Sequence, residues 1–190
     1  MWVFLATEVL FFGGLILAYA VYRHAYPQGF AEAARHTSIA IGTCNTAVLL
    51  TSSFLVAWAV AAARARLGRI AAVLCWGAAA LGVAFLVLKA IEYRTEYAEH
   101  LVPGLNLDLT APNAAATSLF FSFYFAATGL HGIHVTIGIA ALMVLGLRAR
   151  AGRYSETYHS PMTVGALYWH FVDLVWVFLF ALIYLPGRAP

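Results

Sequence analysis

Five stretches of this chain run for more than twenty residues with hardly a charge between them: Trp2–Arg23, Ile39–Ala63, Ile70–Tyr93, Ala115–Leu147 and Met162–Leu185. No other feature constrains the fold as strongly. An apolar run of ~20 residues is long enough to cross a hydrocarbon core of ~30 Å as a helix. Composition agrees: 63% of the 190 residues are hydrophobic, 10% are charged, and the mean hydropathy is +0.83. A soluble domain is nearer half apolar and a quarter charged. The expected fold is all-α, a single integral membrane bundle of about five transmembrane helices.

The connections are short. Pro27 and Gly29 break the chain after the first segment, and "RARLGR" separates the second from the third. "VPGLNLDLTAPN" and "RARAGRYSE" form the next two loops, and none is large enough for a folded extramembrane domain. Arg64, Arg66, Arg69, Arg148, Arg150 and Arg153 gather at the second and fourth loops. The opposite loops carry Glu32, Glu96, Glu99 and Asp108 against Arg35 and Arg94. The positive-inside rule then places the N-terminus in the cytoplasm and the C-terminus outside.

The net charge of +3 does not indicate a nucleic-acid partner, because the arginines lie between apolar blocks without interleaved aromatics to stack bases. Cys44 and Cys75 sit inside apolar blocks and match no metal spacing, so both read as buried free thiols. The first segment has no basic flank ahead of it and is interrupted by Glu8, which fits a cleaved signal peptide poorly. Along the fourth segment Thr128, Gly132, Thr136 and Ala140 recur every four residues, a stripe that would let another helix approach closely.

Ionisable residues at membrane depth are costly unless paired, so each needs a reading. Counting 1.5 Å per residue, Glu8, His131, His170 and Asp173 fall at similar depths on three helices. "LHGIH" puts His131 and His134 on one helix face, where Glu8 could complete a mixed nitrogen–oxygen metal site. A buried Glu beside His is also what a proton or ion relay would use, although neither broken helices nor related halves are visible. The plainer reading makes these groups satisfied polar contacts that join helices, hold a lipid head group or meet a partner subunit. Lys89 and Glu92, one turn apart, read as an interfacial ion pair. Tyr93, Tyr97, Trp169 and Trp176 read as interface or packing aromatics. No phosphate loop or nucleophile motif occurs, and the residues alone define no reaction.

Taken together, five stretches resemble subunit III of the haem–copper respiratory oxidases, in its short five-helix bacterial form. They are "MWVFLATEVLFFGGLILAY" with Glu8, "NTAVLLTSS" with Asn45, "LKAIEY" with Glu92, "ATGLHGIHV" with His131 and His134, and "YWHFVDLVW" with Trp169, His170, Asp173 and Trp176. Longer members of that family have two further helices at the start, and Met1 already lies inside a motif, so the natural start is expected upstream. Lys89 stands where the family more often has an uncharged residue.

The resemblance implies an accessory, non-catalytic subunit of a proton-pumping terminal oxidase that reduces oxygen to water with electrons from cytochrome c. Haem and copper would belong to neighbouring subunits, with no cofactor in this chain. The chain would pack on catalytic subunit I and other respiratory-complex subunits, sustain proton uptake and hold structural phospholipid in a cleft. Glu8 would be the buried carboxylate of that cleft, His131 a polar fixture of it, and His134 and Arg148 would stand where head groups are held. The setting would be a bacterial plasma membrane. Quinol oxidases and some nitric oxide reductase complexes have similar subunits, and a free-standing transporter using Glu8 and His134 as a relay is the alternative from another class.

Overall fold

The computed structural model describes residues 2–105, 114–154 and 160–186. Six helices account for nearly all of them: α1 (Trp2–Ala25), α2 (Pro27–His36), α3 (Ile39–Arg64), α4 (Gly68–Ala98), α5 (Ala114–Arg150) and α6 (Ser160–Tyr184). Five are long and apolar enough to span a membrane, as expected, and no strand occurs among the described residues. In lipid a spanning segment must satisfy its own backbone, which makes the helix the natural state of each run.

The short helix α2 is the element that the segment reading lacks. Pro27 does not only break the chain; it occupies the first turn of a new helix, where a missing N–H costs nothing. Gly29, Phe30, Ala33 and Ala34 form its buried face, packed on the aromatic rings of Tyr19 and Phe120. Thr37 closes it by donating from Oγ1 to the Ala34 carbonyl at 2.7 Å.

The helices α3, α4, α5 and α6 pack as a ring, each against two neighbours, while α1 leans on α5 and α6 with few contacts. Only 11% of the apolar stretch of α1 is buried, against 50% for α6, which makes α1 peripheral and α6 central. Trp169 fixes the ring. Its indole lies where a Cβ on Gly82 of α4 would come within 2.9 Å and one on Gly138 of α5 within 2.6 Å. Its Nε1 donates to Ser52 Oγ of α3 at 2.9 Å, so one side chain on α6 meets all three other helices.

This packing corrects three sequence expectations. The four-residue stripe is not the close-approach line: Thr136 and Ala140 are exposed, and a Cβ on Gly132 would meet only Leu86, at 3.8 Å. Close approach falls instead at Gly138, against Trp169, and at Gly146, against Trp76. Cys44 is exposed on the lipid-facing surface, while Cys75 is buried near the Met162 sulfur, and both thiols are free. Finally, α4 continues past Tyr93 to Ala98, so Glu96 is a buried residue inside the bundle rather than a loop charge. Asp108, counted with the same loop, lies outside the described residues.

Candidate functional site

The polar residues of the membrane interior fall into four separate places rather than one. The first is centred on Lys89. Lys89, Glu92 and Glu96 follow at i, i+3 and i+7 along α4, which puts them on one face, and that face points into the ring. Lys89 Nζ donates to Glu92 Oε2 and to Tyr124 Oη, both at 2.9 Å, and to Tyr184 Oη at 3.0 Å. The Tyr184 hydroxyl in turn donates to both Glu92 oxygens, at 2.9 and 3.0 Å. Tyr93, Tyr124, Trp176 and Tyr184 surround the ammonium with ring centres 4.6 to 5.7 Å away. The ion pair read from the sequence does form, and it faces the inside of the ring, with both side chains almost fully enclosed. Three donated bonds and four rings replace the water that a cation loses on burial.

The second place is a slot for His131. Its ring is fully buried, 5.5 Å from Phe85 and 5.2 Å from Trp176, and neither nitrogen is hydrogen-bonded to a described residue. Among the described residues the ring packs as an aromatic. The third place is the junction of α1 with α5. His134 Nε2 stands 3.2 Å from Glu8 Oε2, and Nδ1 lies 2.9 Å from the Leu130 carbonyl. That carbonyl can only accept, so Nδ1 is the donor there, and Nε2 is the nitrogen that faces the Glu8 carboxyl group. Phe12 covers the His134 ring at 5.5 Å, and Tyr168 donates to the His134 carbonyl at 3.0 Å.

The fourth place is the seam between α3 and α6. Trp169 donates to Ser52 and Trp176 to Thr46 Oγ1, the latter at 3.1 Å. Each hydroxyl then donates to a carbonyl of its own helix: Ser52 to Leu49 at 2.7 Å and Thr46 to Gly42 at 2.8 Å. His170 pairs through Nδ1 with Ser53 Oγ, and buried Asp173 lies beside the same serine. Asn45, next to Thr46 in α3, is wholly enclosed, with neither amide atom hydrogen-bonded to a described residue.

The four groups expected at similar depth therefore do not converge. Glu8 meets His134, His131 meets two rings, and His170 and Asp173 face Ser53. His131 and His134, though three residues apart, serve different neighbours, and the described residues hold no group of three His, Cys, Asp or Glu placed around one point. Sequence reasoning missed Tyr124 and Tyr184 as partners of Lys89, and Glu96 as a buried acid on the same face. The shared face of Lys89, Glu92 and Glu96 was the available signal; the tyrosines come from other helices and left none.

Two apolar grooves open beside these contacts. One, of about 260 Å³, runs between α1 and α6, with Val9, Phe12 and Phe171 among its walls. The other, of about 590 Å³, runs between α5 and α6 from Tyr168 past Gly165 and Val164 to Arg148. Arg148 lies 14 residues from His134, about 21 Å along the helix.

Over residues 1–188 the chain matches the family model described as cytochrome c oxidase subunit III. It is 33% identical to cytochrome c oxidase subunit 3 of Thermostichus vulcanus, over 98% of this chain and 85% of that protein. It is 36% identical to the Synechocystis protein of the same name, over 96% of this chain and 72% of the relative. Against the Drosophila melanogaster protein of that name the identity is 37%, over 75% of this chain and 49% of the longer relative.

Proposed function

Because the chain belongs to the cytochrome c oxidase subunit III family, we propose that it serves as the non-catalytic accessory subunit of a haem–copper terminal oxidase. The holoenzyme reduces oxygen to water with electrons from cytochrome c, on redox centres carried by other subunits. This chain packs beside catalytic subunit I in a bacterial plasma membrane, N-terminus in the cytoplasm and C-terminus outside. It stabilises that subunit, sustains its proton uptake and holds a structural phospholipid.

The observation that carries the reading is the α5–α6 groove. It is walled by Ile137, Val144 and Val164 and ends at the exposed guanidinium of Arg148. An acyl chain fits an apolar furrow, and a planar guanidinium bonds two phosphate oxygens at once. His134 is engaged by Glu8 far along the helix, so in this reading Arg148 holds the head group and the Glu8–His134 pair fastens α1 at the groove's inner end. The buried polar residues support the accessory role, since their contacts join one helix to another.

The test is lipid counting on the purified complex. Arg148→Ala should remove one phospholipid per complex, read by native mass spectrometry, while haem content stays constant. An unchanged lipid count would overturn the groove assignment.

A further inference from the structure

Arg148 and Arg150 lie two residues apart and so about 200° apart around α5. Only Arg148 faces α6. Arg150 faces α4, with its guanidinium carbon 5.9 Å from the centre of the Trp76 ring. There, Arg69, Arg150 and Trp76, with Ala72 and Val73 as a floor, line a second recess of about 460 Å³. Arg69 belongs to the first turn of α4, a helix that starts without a side-chain cap and without an acidic residue in that turn. No ion pair to Arg69 or Arg150 occurs among the described residues.

The surface next to these cations is apolar. Val73 is 64% exposed, and Ile70 and Leu147 stand exposed beside it. A strip of that kind suits neither water nor a free ion, whereas an amphiphile satisfies both halves of it. We propose that this recess is a second phospholipid site, on the face opposite the Arg148 groove, and that it selects an anionic head group. Arg69 and Arg150 grip the phosphodiester from two helices. Trp76 forms the inner wall, its indole N–H turned onto Gly146 and its ring face under the Arg150 guanidinium. One acyl chain runs over Val73 along the seam of α4 and α5. Because α4 and α5 each supply an arginine, a bound lipid holds those two helix ends together.

The experiment uses the purified oxidase complex containing this chain, delipidated in mild detergent and titrated with phosphatidylglycerol, with bound lipids counted by native mass spectrometry. A charge-assisted hydrogen bond to phosphate contributes about tenfold or more, so Arg69→Gln with Arg150→Gln should weaken one phosphatidylglycerol by roughly 100-fold. Phosphatidylcholine, whose choline cation is repelled by the same two arginines, should bind weakly to both forms. The control double variant, Arg64→Gln with Arg153→Gln, alters exposed arginines outside the recess and should leave the count intact. An equal loss in the control would reduce the effect to general surface charge and overturn the site. So would an unchanged count in the first variant, displacement of the lipid by inorganic phosphate alone, or release of a partner subunit with phosphatidylglycerol retained. The Arg148→Ala count reads a different lipid, so failure of either site leaves the other standing.

Discussion

A lysine inside a membrane bundle is tolerable only if its charge is met in place. Around Lys89 a carboxylate, two hydroxyls and four rings do so, and the unit ties α4 to α5 and α6. Removing one member of such a pair leaves the other charge buried alone, at a cost of about 3–5 kcal/mol. Lys89→Met should therefore lower the unfolding midpoint in a denaturing-detergent titration, and adding Glu92→Gln should return most of the loss. An unchanged midpoint in the single variant would show that the network does not fasten these helices. His131 differs, since neither of its nitrogens is bonded to a described residue. His131→Phe should cost under about 1.5 kcal/mol, as a shape-conserving swap does. His131→Ala should cost about 3 kcal/mol or more, as emptying a large core site does. A phenylalanine variant as damaged as the alanine one would mean that a nitrogen has a partner in the assembled complex.

At the scale of elements, the helices begin and end where backbone geometry allows. Three ends use the same closure, a bond from the residue after a left-handed position back to a carbonyl five residues earlier: Leu67 to Ala62, Leu101 to Glu96 and Arg153 to Arg148. Only the last has glycine at the left-handed position, Gly152; Arg66 and His100 hold it elsewhere. A reader of sequence sees the glycine and passes over the other two, which is why α4 read five residues short. Helix contact was misplaced for a related reason. Small residues recur along several faces of α5, and only the position of the Trp169 indole selects Gly138 over Gly132. Gly138→Ala should therefore destabilise by about 1–3 kcal/mol, the range for overpacking. Gly132→Ala should be nearly neutral in the same titration, and equal effects would refute the assignment of the contact.

For the molecule as a whole, the ring of α3 to α6 is self-contained, whereas α1 exposes most of its surface. Its main polar tie is Glu8 to His134, remote from any redox centre in the proposed reading. Glu8→Gln should accordingly leave haem spectra and assembly unchanged, and loss of a haem band would place that helix nearer the chemistry than proposed. Affinity purification from native membranes should recover a haem-containing catalytic subunit with this chain. Recovery of the chain alone, with ion flux in vesicles, would favour the relay instead.

By itself the sequence determined the fold class, the number of spanning segments, the clustering of arginines at one end and the family. These depend on residue type and on order along the chain, and an apolar run has one stable state in lipid. The tertiary structure alone decided which polar groups meet. Glu8 and His170 have partners 126 and 117 residues away in the chain, and Lys89 has Tyr184 at 95. Such distances depend on how each helix is rotated and how deeply it sits, and on a helix apolar on every side no periodic pattern records the rotation.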